Sequence, residues 1–308
     1  MIDVGLELKK RLGDRLQENI SLRDHNCFGV GGVADYFCVV SDIDSLAQVV
    51  GCARDLSVPH IVLGEGSSVV PSDSGFAGLV IKNKSSNVVF SVASSEVLVD
   101  SGISLANLVN LAASRDLGGL EFLAGMSGTI GGALYNNYSS SNFSIGDFVK
   151  SVTVLTEQGG KMMICSYPKS WMEFRPHSSR AKTSRGFHPV LLTVRLQLTR
   201  RRKDEILRIL RDNYRARKNP QEGHALKQVF LEPESSLGLA LGSVLAKVGA
   251  RRFRVGGVSV CRQDQNSFIN RNRATAGEVR TLADRLRCAV SEQCGFCLKE
   301  RIEYIGRW

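Results

Sequence analysis

Four glycines within eight residues, Gly125, Gly128, Gly131 and Gly132, constrain this chain more than any other segment. Glycine costs a helix interior about 1 kcal/mol relative to alanine, so the segment predicts a loop. Because glycine has no Cβ, such a loop can take left-handed backbone conformations and come into van der Waals contact with a ligand. The segment therefore predicts a binding loop formed mainly by backbone.

Two more glycine-rich segments lie upstream, at Asn26–Ala34 and at Leu63–Gly78. One such loop is a weak signal, but three together favour a large, flat, phosphate-bearing nucleotide cofactor held by exposed backbone N–H groups. The candidate cofactor-binding residues are Gly29, Val30, Gly31, Gly32, Gly64, Glu65, Gly66, Ser67, Ser68, Gly125, Gly128, Thr129, Gly131, Gly132 and Asn137.

The length of 308 residues predicts two or three compact units, and 43% apolar with 23% charged residues is typical of an ordinary globular protein. No apolar run approaches the length of a membrane span, and the first residues lack a signal-peptide pattern, so we expect a cytoplasmic protein. The eight cysteines are scattered, and the lone Cys294-Gly-Phe-Cys297 lacks a second ligand pair, so we expect no metal site.

The formal net charge of +10 is concentrated between Arg200 and Lys218. Nucleic-acid binding is one interpretation of such a basic stretch. A solvated helix face is the other, because Ile206, Leu207, Leu210 and Tyr214 form an apolar stripe at helical spacing. We favour the solvated face, since no aromatic residues interleave with the arginines. We expect no nucleic acid, membrane or obligate protein partner.

Hydrophobic periodicity predicts an α+β fold in which strands alternate with helices. The predicted helices are a short one within 1–25, then 44–56, one capped by Ser104, 204–216, 236–248 and one from Ala276 begun by the capping box Thr275-x-x-Glu278. The predicted strands are 33–40, 59–63, 79–82, 88–92, 151–156, 161–165, 190–198, 253–260 and 297–305. We expect an N-terminal approach at 1–27, a cofactor-binding region at 28–200 and a C-terminal domain at 201–308.

These motifs, in this order, resemble those of the UDP-N-acetylenolpyruvoylglucosamine reductase family. The family pattern Asn-Thr-x-x-x-Gly-Gly-x-Ala is matched at 26–34 with Cys27 replacing threonine, and Leu-Gly-x-Gly-Ser-Asn at 63–68 with Ser68 replacing asparagine. Gly-Ile-Pro-Gly-x-x-Gly-Gly-Ala is matched at 125–133. The similarity extends over about residues 20–306, and the short tract from Asn137 to Lys150 resembles the subtype that lacks a tyrosine-bearing loop.

The resemblance implies a two-lobed FAD-binding region of the vanillyl-alcohol-oxidase (PCMH) type and a C-terminal substrate domain. It implies a cytoplasmic flavoprotein oxidoreductase of peptidoglycan synthesis, which serves cell wall biogenesis, cell shape and cell division. NADPH is the co-substrate, and UDP-N-acetyl-enolpyruvoylglucosamine is reduced to UDP-N-acetylmuramate. Two alternatives stay open: a catalytically degenerate FAD-binding paralogue, and an FAD oxidoreductase of the same fold with another substrate.

Hydride addition to the enolpyruvyl group builds negative charge that a cation must stabilise, while an acid protonates the neighbouring carbon. The resemblance assigns the stabilising arginine to Arg175, in Phe174-Arg175-Pro-His177. The family's proton-donating serine falls on Gln228, and its catalytic glutamate on Arg301. A Lys-Asn pair that helps to hold substrate in the family is Leu231-Glu232 here.

Overall fold

The computed structural model describes residues 3–91, 93–140, 143–158, 161–175, 178–181, 189–217, 224–233, 239–271 and 273–308, with backbone only at 175 and 178–181. Its helices are α1 (Val4–Leu12), α2 (Ile43–Asp55), α3 (Leu105–Ala113), α4 (Ile130–Tyr135), α5 (Ile145–Phe148), α6 (Lys203–Arg217), α7 (Leu241–Lys247) and α8 (Ala276–Cys294). Among the described residues, no helix is long and apolar enough to cross a membrane.

Strands and helices are intermixed along the described chain, which confirms the α+β class. The strands are β1 (Leu16–Ser21), β2 (Val33–Val40), β3 (His60–Leu63), β4 (Val69–Pro71), β5 (Phe76–Asn83), β6 (Val88–Ser91), β7 (Glu96–Asp100), β8 (Leu117–Gly118), β9 (Val149–Gln158), β10 (Lys161–Pro168), β11 (Met172–Arg175), β12 (Ser178–Ala181), β13 (Val190–Gln197), β14 (Thr199–Arg200), β15 (Ala225–Leu226), β16 (Arg254–Val255), β17 (Val258–Val260), β18 (Phe268–Asn270) and β19 (Glu303–Ile305).

The chain forms two compact units, each assembled from three stretches of sequence. Unit 1 contains residues 1–16, 38–64 and 80–218, and unit 2 contains residues 17–37, 65–79 and 219–308. Three of the boundaries fall within strands, in β1, β2 and β5. The division expected from the sequence, into regions 1–27, 28–200 and 201–308, stays a prediction.

Unit 1 has its core on an antiparallel sheet of order β10-β9-β13-β7-β6. The strands predicted at 151–156 and 161–165 are confirmed as β9 and β10, which pair antiparallel with Gln158 opposite Lys161. Helix α3 begins at Ser104, whose side chain accepts a hydrogen bond from Asn107 N at 3.2 Å. Its apolar face, including the fully buried Leu105 and Leu108, contributes to the same core.

Unit 2 has its core around α7, α8 and an antiparallel sheet of order β15-β18-β17-β16. The predicted capping box at the start of α8 is confirmed: Thr275 Oγ1 accepts from Glu278 N, and Glu278 Oε2 accepts from Thr275 N, each at 3.1 Å. Asp73 adds a second cap, since its carboxylate accepts from Ala276 N and Gly277 N at 2.9 Å. The C-terminal β19 pairs in parallel with β4.

Three sequence predictions for regular elements were wrong. Residues 1–25 contain β1 as well as the expected helix. The strand predicted over 253–260 is two short strands, because Gly256 has φ +50° and Gly257 N donates to Glu278 Oε2. The strand predicted over 297–305 is regular only at β19. Residues 299–301 instead bond to an irregular segment, with Arg301 N donating to Val229 O and Leu231 N donating to Lys299 O.

Helices α6 and α7 also differ in part from the prediction. In α6, Ile206 and Leu210 are buried, but Leu207 and Tyr214 remain 42% and 37% exposed. The buried stripe is therefore narrower than the sequence pattern indicated. Helix α7 begins at Leu241 rather than at 236, and residues 236–238 of the predicted helix lie outside the described part of the chain.

Candidate functional site

The glycine segment of unit 1 combines a loop and a helix start. Gly125 and Gly128 have φ of +75° and +127°, conformations that L side chains rarely adopt. The expectation of a loop throughout was wrong, because α4 begins at Ile130 and includes Gly131 and Gly132. Thr129 caps this helix by accepting from Gly132 N at 3.3 Å.

The glycines of this segment differ in what surrounds them. A Cβ on Gly131 would lie 2.8 Å from Ser101 O, so this glycine is required by the protein's own backbone. A Cβ on Gly64, at the end of β3, would collide with Thr129 Oγ1, which packs the two loops together. Gly132 is different: it is exposed, and its Cβ would meet only Thr129 Oγ1 at 3.7 Å. Of Gly64, Gly131 and Gly132, only Gly132 leaves room for a ligand beside its backbone.

Asn137 and Arg175 complete the predicted site residues of unit 1. Asn137 is buried with φ +41°, and its Oδ1 accepts from Gly146 N at 3.1 Å, so it holds the first turn of α5. Arg175 ends β11, where its backbone pairs with Ser178 of β12. The Arg175 side chain lies outside the described part of the chain.

The first glycine segment of unit 2 is organised by Asn26, which the sequence reasoning quoted in a motif but gave no role. The Asn26 side chain is buried and makes four hydrogen bonds. Its Nδ2 donates to Leu22 O at 2.7 Å and Val30 O at 2.8 Å, and its Oδ1 accepts from Phe28 N at 3.1 Å and Gly29 N at 3.0 Å. One side chain therefore fixes both ends of this turn.

Asn26→Ala is expected to lower the free energy of unfolding by about 3 kcal/mol, because four buried backbone groups lose their partner. Urea denaturation followed by circular dichroism measures the change. Asn136→Ala is a suitable control, since that amide donates a single solvent-exposed bond to Gly132 O. Equal stability of the two variants would contradict the role given to Asn26.

The remaining candidate glycines of unit 2, Gly31, Gly32 and Gly66, are packed against neighbouring residues. A Cβ on Gly31 (φ +107°) would lie 2.7 Å from Pro71 Cβ, and one on Gly32 would collide with Asp73 O. A Cβ on Gly66 (φ +74°) would lie 2.8 Å from Asn26 Cα. Its loop, which also carries Glu65, Ser67 and Ser68, receives a hydrogen bond from Cys27 N to Gly66 O at 3.2 Å.

Two further residues hold the Gly29 turn, and the sequence assigned a role to neither. His224 lies against Gly29, with its ring 3.0 Å from the position of a Gly29 Cβ, and its Nδ1 lies 3.3 Å from Cys27 O. Asn270 Nδ2 donates to Phe28 O at 2.9 Å. His224 and Asn270 lie more than 190 positions further along the chain than the residues of the turn that they contact. No local sequence pattern reveals such a contact.

The two divergent positions, Gln228 and Arg301, contact each other. Arg301 Nη1 donates a hydrogen bond to Gln228 Oε1, and Gln228 is held at φ +55°. The backbone bond from Arg301 N to Val229 O, 2.8 Å long, fixes the two segments together. The result is a guanidinium beside an amide whose oxygen is engaged. Such a pair suits an anionic ligand.

Carboxylates near position 301 have other partners in unit 2. Glu300 accepts from Tyr304 Oη at 2.7 Å and from Arg287 Nη1 at 3.4 Å. Burial and the adjacent Glu300 raise the pKa of Tyr304 above its usual range. Glu232 accepts from Leu241 N at 3.0 Å and so caps α7. These contacts give both glutamates structural roles.

Comparison with known proteins identifies the family to which this chain is similar. A model of an FAD binding domain matches residues 34–166, and a model described as the UDP-N-acetylenolpyruvoylglucosamine reductase C-terminal domain matches residues 218–305. The UDP-N-acetylenolpyruvoylglucosamine reductase of Lachnoclostridium phytofermentans is 32% identical over 299 residues, covering 95% of this chain and 94% of that protein. This chain belongs to the UDP-N-acetylenolpyruvoylglucosamine reductase family.

Other members of the reductase family agree with this assignment. The protein of that name from Moorella thermoacetica is 32% identical over 302 residues, covering 97% of this chain and 96% of its own length. The crystal structure of the Thermus caldophilus reductase superposes with a TM-score of 0.76 at 27% identity, covering 94% of this chain and 99% of the other. These matches confirm the expected fold, an FAD-binding region of the PCMH type followed by the reductase C-terminal domain.

FAD is the cofactor that the matched family implies, and the residues of unit 1 fit it. Gly132 is exposed and leaves room for close approach, while Gly125 and Gly128 hold the preceding loop in left-handed conformations. The glycines that lack such room, Gly131 among them, pack the loops against one another. The cofactor prediction is confirmed, and the individual contact residues stay a prediction.

Proposed function

We propose that this protein catalyses the FAD-dependent, NADPH-driven reduction of UDP-N-acetyl-enolpyruvoylglucosamine to UDP-N-acetylmuramate, in the cytoplasm, for peptidoglycan precursor synthesis. The observation that carries the proposal is the match to named reductases over at least 95% of the chain, with both family regions in order. The three glycine segments retained by the chain support it.

The candidate cofactor contacts are those predicted from the glycine segments. We assign FAD contacts to Gly29, Val30, Gly31, Gly32, Gly64, Glu65, Gly66, Ser67, Ser68, Gly125, Gly128, Thr129, Gly131, Gly132 and Asn137. The backbone of these loops would hold the pyrophosphate, and Gly132 would give the closest approach. When bound, FAD reduced by NADPH supplies the hydride.

The candidate substrate-binding residues are cations that would stabilise negative charge on the substrate. Arg175 is the candidate that stabilises the negative charge developing on the substrate carboxylate, since a guanidinium can hold a carboxylate through two parallel hydrogen bonds. We also assign the Arg301 guanidinium, which donates to Gln228 Oε1, to the anionic substrate. Position 301 therefore carries a cation in this chain, where the family motif has a carboxylate.

The proton has a different source in this chain from the family's serine. An amide does not ionise, and a guanidinium does not lose its proton in proteins, so neither Gln228 nor Arg301 can protonate the substrate carbon. We assign the proton to a water molecule in the site. A water that gives its proton to the substrate becomes a hydroxide ion. The positive charge of Arg301 would stabilise that hydroxide.

A steady-state assay tests the proposal. The purified protein with FAD is mixed with NADPH, with and without the enolpyruvyl UDP-sugar, and NADPH absorbance is followed while the product is identified by mass spectrometry. We expect substrate-dependent NADPH oxidation and UDP-N-acetylmuramate as product. Bound FAD without substrate-dependent turnover would favour the degenerate paralogue, and flavin reduction that serves another acceptor would favour an oxidoreductase with a different substrate.

A further inference from the structure

Helix α6 holds the segment that leads into the glycine loop of unit 1. Asn213 Nδ2 donates to Glu121 O at 3.0 Å, and Arg217 Nη1 donates to both Phe122 O and Ala124 O at 2.6 Å. Two residues before the helix begins, Arg201 Nη1 donates to the buried Glu121 carboxylate at 3.2 Å. The segment from Glu121 to Ala124 is therefore held by the C-terminal turns of α6 and by the residue Arg201 that precedes the helix.

Arg217 fixes the peptide plane that precedes Gly125. In a trans peptide the C=O and the following N–H point in opposite directions, and the described chain has no cis peptide bond. Because Ala124 O points to the Arg217 guanidinium, the Gly125 N–H points away from it. Within the described ranges, no protein acceptor is recorded for this N–H. It is thereby oriented for an acceptor outside the protein.

The guanidinium of Arg217 is suited to this task. It is half-buried, and burial lowers its pKa from the ordinary value. The groups it contacts are backbone carbonyls, whose partial negative charges it satisfies. The side chain also borders the loop itself, since a Cβ on Gly125 would lie 3.4 Å from Arg217 Cβ and from Tyr214 Cδ1. A solvated basic helix face does not account for these contacts.

We propose that Arg217 is a positioning residue for FAD: by holding Phe122 O and Ala124 O, it presents the Gly125 N–H to an oxygen of the bound cofactor. This inference rests on the proposed function, because it requires that the protein bind FAD. It adds a residue from α6 to a site otherwise formed by the glycine loops.

The test compares FAD affinity among variants of the full chain, measured by quenching of flavin fluorescence on titration of the deflavinated protein. Arg217→Met removes both hydrogen bonds and is expected to weaken FAD binding about 10-fold, equivalent to 1.4 kcal/mol. Arg217→Lys keeps a cation that can donate to the carbonyls, and should recover most of the affinity. Arg215→Met, at an exposed position of the same helix, should bind FAD as the wild type does.

A second readout separates positioning from general stability. The FAD-free Arg217→Met protein should stay folded but melt a few degrees below Arg215→Met, because two buried carbonyls lose their partner, and Arg217→Lys should recover most of that loss. Wild-type affinity in Arg217→Met would overturn the inference and leave the proposed function standing. A lowered melting temperature with no recovery in Arg217→Lys would also overturn it, by showing a purely structural role. A wild-type protein that binds no FAD would overturn the inference and the proposed function together.

Discussion

Gly132→Val should weaken FAD binding by about 100-fold while leaving the FAD-free protein folded. The new side chain finds room in the protein, because a Cβ at this exposed position meets only Thr129 Oγ1 at 3.7 Å. A cofactor in contact with the Gly132 backbone would be displaced, and displacing a close packing contact costs about 3 kcal/mol. Fluorescence titration with FAD measures the affinity, and thermal unfolding of the FAD-free protein measures its stability.

Two other glycine substitutions make this experiment specific. Gly51→Val places the same side chain in α2 of the same unit, with nothing within 4 Å of its Cβ, and should leave FAD affinity unchanged. Gly131→Val should destabilise the FAD-free protein, because its Cβ would lie 2.8 Å from Ser101 O. Wild-type affinity in a folded Gly132→Val protein would contradict the placement of FAD at Gly132.

Arg301→Glu should lower kcat/KM for the UDP-sugar by about 100-fold. We assign this guanidinium to the anionic substrate, and replacing one partner of a close charged contact costs about 3 kcal/mol. The variant also loses the hydrogen bond to Gln228 Oε1. FAD content and the rate of flavin reduction by NADPH should stay unchanged, since the assigned role concerns the UDP-sugar. Steady-state kinetics and a half-reaction with NADPH alone measure the two effects.

Position 301 offers informative comparisons. Arg301→Lys keeps the positive charge and should lose less activity than Arg301→Glu. Arg262→Glu reverses the charge at an exposed position of the same unit and controls for the change in net charge. A rise in kcat/KM for Arg301→Glu would mean that a carboxylate serves the reaction better at this position, and would contradict the role assigned to Arg301.

Local patterns in the sequence predicted much of the fold. The strand at Val33–Val40, the helix capped by Ser104 and the capping box at Thr275 were all confirmed. Each depends on interactions within a few residues: alternation of side chains, or a hydroxyl that accepts from an N–H three residues ahead. The ordered glycine motifs identified the family for the same reason, because they are local patterns.

Contacts between distant segments were beyond this reasoning. A strand was predicted over 297–305, yet residues 299–301 bond to the irregular segment 229–231, so the alternation rule did not apply there. The contact between Arg301 and Gln228 joins residues 73 positions apart. Arg217 belonged to a basic run in the sequence, and only the fold shows that it holds the carbonyls of Phe122 and Ala124.

The most direct test of the central claim is the oxidative half-reaction without oxygen. The FAD-loaded protein is reduced with one equivalent of NADPH in an anaerobic cuvette, and the enolpyruvyl UDP-sugar is then added while the visible flavin absorbance is followed. The account predicts that the oxidised flavin spectrum returns and that UDP-N-acetylmuramate forms in equal amount. A flavin that stays reduced after addition of the UDP-sugar would contradict the proposed reductase activity.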